Sequence, residues 1–258
     1  MQDEYWQSSI TRIAPEAPIP VIRVLSTETR PGGASNVANS IEAMGVQVER
    51  IFGSSERIRK IRLRAANQYV ARVDFDHPQT PIEPDANYRD ALTRCDIVVF
   101  VDYGKGALQN VAALISAAAG KTILVDPKGH DYSKYRGATM IKPNRDEMRE
   151  LVGPWTSQDE LDFKARQFLL ASGIESILLT QGAEGMTLYT RADTLHVAAF
   201  NKAPVDVSGA GEAALSAYAA ALAKREPLAI CLHLASKAAA IAISHHGTYV
   251  VREEELWS

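Results

Sequence analysis

Residues 206–212 read Asp-Val-Ser-Gly-Ala-Gly-Glu, and Ala213, Ala214, Leu215 and Ala217 then open an apolar helix. Small residues at a helix entrance let the backbone approach an anion closely. The unpaired N–H groups of the first turn and the positive end of the helix dipole then stabilise that anion. A carboxylate in the same turn, here Glu212, can take a proton from a substrate hydroxyl. Taken alone, Gly209-Ala210-Gly211 fits equally well a helix start packed tightly on a strand.

Upstream of this turn the pattern alternates. The apolar runs 96–101, 122–125, 140–141 and 176–180 are too short for helices, while 108–119, 146–151 and 157–172 carry helical spacing. Such alternation predicts a mostly parallel sheet covered by helices on both faces. Residues 186–189 and 194–197 predict a hairpin, and 213–224 and 228–244 two helices. Nearer the start, 18–25 reads as a proline-flanked strand and 34–44 as a helix entered through Gly32-Gly33. The segment 46–52 alternates like a strand, and 58–75 reads as two strands meeting near Ala66-Asn67. Charged early strands without intervening helices predict a small β appendage. Within it, Arg57, Arg59, Lys60, Arg62 and Arg64 read as a solvated strand rather than an anion site.

Bulk properties narrow the function. The 258 residues are 46% apolar and 23% charged, enough for one large α/β domain. A net charge of −3 and a pI of about 6.1 argue against a nucleic-acid scaffold. Cys95 and Cys231 show no metal-ligand spacing and read as buried free thiols of a reducing, cytoplasmic compartment. No apolar run reaches the length of a membrane span, and the first residues are polar and acidic.

Together with Arg30-Pro31-Gly32-Gly33-Ala34-Ser35-Asn36-Val37-Ala38, the 206–212 run resembles the two signatures of the ribokinase/phosphofructokinase-B carbohydrate kinases. Residues 10–24, 30–45, 101–108, 125–147 and 206–212 are more narrowly similar to the kinase domain of the heptose-phosphate kinase/adenylyltransferases of lipopolysaccharide-precursor synthesis. The adenylyltransferase half of the fused relatives has no counterpart in these stretches. The resemblance implies a single ribokinase-like domain over 1–258, with a β lid from about 5–30 and 56–78. It implies an ATP- and Mg2+-dependent kinase of a sugar phosphate such as heptose 7-phosphate, and a homodimer joined through the lid, without nucleic-acid or membrane partners. Glu212 would be the base and Gly209, Ala210 and Gly211 the anion-binding turn. Asp3, Gly32, Gly33 and Asn36 would line the sugar site, with Lys128 (or Lys105) available to a sugar phosphate. Asn144, Thr180, Gly182, Gly185 and Ser208 would edge the nucleotide, and Glu147 would organise the metal. The run Asn144-Arg145-Asp146-Glu147 also reads as an N-cap with acidic first-turn residues, and both readings can hold together. As lone lysines, Lys105 and Lys128 read more simply as surface residues, and His245-His246 as charge at a helix end.

Three departures from the family qualify this expectation. A first core strand should precede Asp3. A strand–helix–strand segment expected between Gly53 and Glu56 is reduced to Ser54-Ser55, which opens the front of the site and leaves apolar surface. The family's catalytic aspartate is matched by Glu212, whose reach is one methylene longer. An inactive kinase-fold protein serving as a ligand-binding or assembly module is the alternative these departures raise.

Overall fold

The computed structural model describes residues 1–53, 57–66, 68–200 and 203–257. In chain order the elements are β1 (Gln2–Ile13), β2 (Pro20–Pro31), α1 (Ala34–Ala43), β3 (Arg59–Ala65), β4 (Gln68–Phe75), α2 (Ala86–Thr93) and β5 (Ile97–Val101). Then follow α3 (Val111–Ala117), β6 (Thr122–Asp126), β7 (Met140–Ile141), α4 (Arg145–Val152), α5 (Gln158–Ser172) and β8 (Ser176–Thr180). The hairpin β9 (Met186–Thr190) and β10 (Thr194–Val197) leads to α6 (Ala210–Ala223), α7 (Leu228–Ala242) and α8 (Glu253–Leu256).

The short apolar runs assemble into a six-stranded sheet ordered β10-β9-β8-β7-β6-β5, parallel from β5 to β8 and antiparallel through the β9–β10 hairpin. Alternate residues serve opposite layers. Leu124 and Leu178 pack toward α1, α6 and α7, whereas Ile123, Val125, Ile177 and Leu179 pack toward α2, α3 and α5. Strands buried on both faces need apolar residues at successive positions, and 97–101, 123–125 and 177–179 have them.

The early charged strands form a separate four-stranded sheet ordered β2-β1-β3-β4. β1 lies antiparallel to β2 and parallel to β3, which sets Asp3 opposite Arg30 on one side and Lys60 on the other. Three of the four basic residues of β3 pair with carboxylates, Arg59 with Glu4, Lys60 with Asp74 and Arg62 with Asp3, while Arg64 lies over the Tyr69 ring. The lid begins at Gln2, earlier than the pattern suggested. Its outer face leaves Leu25, Ile13 and Phe75 exposed.

Three expectations need correction. Residues 46–52 form no strand. Val46 and Val48 pack with the α1/α6 layer while Ile51 packs with the opposite layer, so the segment passes from one core layer to the other. α2, unforeseen, is a short helix whose start is capped by the Asp85 carboxylate accepting from the Tyr88 N–H at 2.9 Å. α6 starts at Ala210, because Gly209 takes the left-handed conformation at its N-cap and the glycine turn is itself the first helical turn. The shortened segment Ser54–Glu56 lies outside the described residues.

β5 is therefore an edge strand. Beside it lies a cavity of about 1110 Å³, bordered by Val46, Val48, Ile97, Val99 and Leu222. The apolar surface expected at the front of the molecule takes this form.

Candidate active site

Three pieces of chain meet at the entrance of α6. The first is the glycine turn before α1. A Cβ on Gly32 would lie 2.0 Å from Oδ2 of Asp3, so only glycine lets the turn rest on that carboxylate. Asp3 is buried on β1 and ion-paired with Arg62. From the same turn, buried Asn36 donates through Nδ2 to Oε2 of Glu212 at 2.6 Å.

The second piece is α6 itself. Asp206 anchors the loop ahead of it: Oδ1 accepts from the Ser208 N–H at 2.9 Å, and Oδ2 accepts from the Tyr69 hydroxyl at 2.7 Å and the Gly247 N–H at 3.0 Å. Burial pushes this carboxyl up, but the hydrogen bonds outweigh it and hold the group at about 2. Gly211 faces Nζ of the buried Lys142, which a Cβ would approach to 3.1 Å. Lys142 in turn pairs with Asp126 at 2.9 Å. The α6 entrance thus combines first-turn N–H groups, a helix dipole and a buried ammonium, which suits it to an anion.

The third piece is the loop after β5, where the Tyr103 hydroxyl donates to Oε1 of Glu212. Burial raises the Glu212 carboxyl above the ordinary range, against the hydrogen bonds from Tyr103 and Asn36. A carboxylate so held can accept a proton nearer neutral pH than a solvated glutamate.

A second group gathers across the sheet's carboxyl ends. Asn144 caps α4, its Oδ1 accepting from the N–H groups of Asp146 and Glu147, while Glu147 Oε2 accepts from the Asn144 N–H. The N-cap reading of this run is realised in full. Asn144 bridges to Thr180, and Gly182 and Gly185 form the turn beyond it. A Cβ on Gly185 would lie 2.0 Å from the Val197 carbonyl oxygen, so packing alone requires that glycine.

Lys128 joins this second group, reaching Oε1 of Glu147 at 3.0 Å, and Lys105 pairs with Asp76 at 2.6 Å. Neither ammonium is brought to the Asp3–Gly32–Asn36 group. Asp102 organises its loop by accepting from Gly104, Lys134 and Tyr135. The His245 ring stacks on Tyr249 just past α7, away from these groups. Tyr103 and Lys142 are the site's neighbours that sequence reasoning passed over. Both lie in stretches with a family resemblance, Tyr103 in 101–108 and Lys142 in 125–147, but neither was given a role there.

Among the described residues, no group of three or more His, Cys, Asp or Glu side chains converges as a metal site. Both carboxylate oxygens of Glu147 are engaged, Oε1 by the Lys128 ammonium and Oε2 by the Asn144 N–H, so a magnesium ion there would lean on this one carboxylate plus waters and substrate phosphates.

The chain thus joins a helix-covered α/β sheet to a second, four-stranded β sheet, with a helix entrance suited to an anion between them. The chain belongs to the pfkB family of carbohydrate kinases, whose family model matches residues 69–255. It is 38% identical to D-beta-D-heptose 7-phosphate kinase of Bordetella bronchiseptica, over 99% of this chain and 92% of that protein. It is 37% identical to the bifunctional protein HldE of Methylococcus capsulatus over 99% of this chain, spanning 61% of that longer protein. Both alignments run over more positions, 288 and 289, than this chain's 258 residues, so each relative carries internal residues that this chain lacks. The ribokinase of Thermotoga maritima has the same fold, with a TM-score of 0.78 at 16% identity over 99% of this chain and 95% of that one.

Proposed function

We propose that the chain transfers the γ-phosphoryl group of ATP to the anomeric hydroxyl of a sugar phosphate, with heptose 7-phosphate as the acceptor its relatives suggest. The observation that carries this reading is the meeting of Glu212, Asn36 and the Asp3–Gly32 contact at the entrance of α6. In this reading Asp3, Gly32, Gly33 and Asn36 face the sugar, and Lys128 tempers the charge of Glu147. Asn144, Thr180, Gly182, Gly185 and Ser208 border the nucleotide. Glu147 holds a magnesium ion through waters, and the ion, when bound, supplies charge neutralisation at the phosphates. Glu212 accepts the hydroxyl proton as the sugar oxygen bonds to the γ-phosphorus and the bond to ADP breaks. The turn Gly209-Ala210-Gly211 stabilises charge on the transferring group. The family context favours this over an inactive scaffold.

The test is transfer from ATP to heptose 7-phosphate, fructose and ribose by the chain and by Glu212→Ala. Turnover of the heptose phosphate ahead of the free sugars is expected, falling on the order of a hundredfold or more in the variant. Absence of nucleotide binding would sink the reading. A gain on Glu212→Asp would mark the glutamate as a misplaced base and the chain as impaired. Cytoplasmic location belongs to the same reading, since the donor is ATP and both cysteines are free thiols. So does a homodimer through the lid, supported by its exposed apolar outer face. Light scattering should give twice the chain mass, and Leu25→Glu with Phe75→Glu should return it to one.

A further inference from the structure

The loop after β5 puts one more side chain on the reacting carboxylate. Glu212 is one methylene longer than the family's aspartate, and both of its oxygens are engaged: Asn36 donates to Oε2 at 2.6 Å and Tyr103 donates to Oε1. The Tyr103 ring lies directly on the glycine turn of the sugar site. Gly33 has φ +60, and a Cβ there would approach Cε2 of Tyr103 to 2.8 Å. Tyr103 is thus seated between the turn before α1 and the first turn of α6, its hydroxyl fixed by the one carboxylate.

We propose that Tyr103 is a positioning residue matched to Glu212, taking up the extra reach of the longer acid and holding its carboxylate against Asn36. The proposal rests on the kinase reading for its consequence in turnover, but the contact itself can be tested without turnover. Two other carboxylates facing the site are fixed in ion pairs. Asp3 on β1 pairs with Arg62, and Asp126 at the end of β6 pairs with Lys142. The Met1 amino group, with Arg57 near it, also faces Asp3 and Glu212. Asp3 and Asp126 both push the Glu212 carboxyl up, and Tyr103 and Asn36 pull it down. Removing the Tyr103 hydroxyl therefore raises the pH at which Glu212 titrates. A base works only when deprotonated, so the acid limb of activity then moves to higher pH.

The experiment follows the Glu212 carboxyl carbon by NMR in the full chain labelled with [5-13C]glutamate, the signal being assigned by its loss in Glu212→Gln. Tyr103→Phe keeps the ring on Gly33 and should move the titration upward. Substituting 3-fluorotyrosine at 103, a stronger donor that leaves packing intact, should move it downward. In turnover the acid limb of kcat should follow the same order, with KM for the sugar phosphate held within about twofold. Tyr103→Phe should lower kcat on the order of tenfold with Glu212 present, but by less than about twofold in a Glu212→Asp background, where the shorter acid no longer needs the tyrosine. Equal losses in the two backgrounds, or a Glu212 titration unmoved by either change at Tyr103, would overturn the proposal. If the carboxyl titrations shift in opposite directions but no sugar is phosphorylated, the positioning stands and the kinase reading falls.

Discussion

Asp206 ties three separated pieces of chain together, accepting from Tyr69 on β4, Ser208 in its own loop and Gly247 beyond α7. Its folded-state carboxyl is depressed to about 2, so it contributes stability that is present above the ordinary aspartate range and lost as pH falls toward 2. Asp206→Ala is expected to cost about 2 kcal/mol at pH 7, because it strands buried donors. In urea unfolding that deficit should shrink as pH is lowered from 5 toward 2, where the parent loses the same interaction. Gly32 gives a purely steric test. Its φ lies outside the left-handed range, so Gly32→Ala acts only through the 2.0 Å approach to Asp3 Oδ2. Overpacking of that kind costs roughly 1–3 kcal/mol, and the displaced Asp3 should also raise KM for the sugar phosphate. At this scale the sequence exposed residue types but not partners. The 206–212 run and Gly32-Gly33-Asn36 were readable as helix entrances from their small residues, and as parts of one site only through the family resemblance of the two stretches together. Tyr69 lies 137 residues from Asp206 and Tyr103 lies 109 residues from Glu212, and only the fold brings such residues together.

α4 shows one element serving two ends. Its capping box, with Asn144 accepting from the first-turn N–H groups and Glu147 accepting back from Asn144, satisfies donors that any helix start leaves free. The same Glu147 presents Oε1 to Lys128 and borders the proposed metal position. Glu147→Gln separates the roles, since glutamine at this position still completes a capping box but carries no charge. Thermal unfolding should change by no more than about 0.5–1 kcal/mol, while the magnesium concentration needed for half-maximal activity should rise several-fold. A loss of stability without a change in magnesium response would reduce Glu147 to a cap. Elements with a strong local signature were legible in this way. The parallel strands were readable from unbroken apolar runs, α1 from its spacing and the glycines before it, and α5, α6 and α7 from their runs of helical residues. Residues 46–52 misled because alternation records only that successive side chains face different surroundings. Here Val46 and Val48 meet one core layer while Gln47 and Glu49 meet solvent, and the segment forms no strand. α2 escaped notice because eight residues with three buried side chains leave too faint a period.

Strand order is a property of the whole molecule, and no local pattern states that β5 lies at the edge of its sheet. The segment 46–52 passes between the two core layers, and the space between it and β5 stays open as a cavity of about 1110 Å³. Core positions bordering that space should therefore answer substitution differently from equally buried positions elsewhere on the same helix. Ala217 and Ala219 make the comparison clean, since both are buried on α6 in the same core layer but only Ala219 borders the cavity. Ala217→Leu forces extra methylene groups into filled space and should cost roughly 1–3 kcal/mol. Ala219→Leu adds the same atoms where neighbours are missing and should gain about 1 kcal/mol, as cavity-filling changes do. Urea unfolding at equal slope reads both directly. A dye that fluoresces in apolar surroundings should bind the parent chain, and Ala219→Leu should weaken that binding while Ala217→Leu leaves it unchanged. Equal destabilisation by the two leucines would mean that the space beside β5 closes in solution, with the 46–52 crossing packed onto the strand.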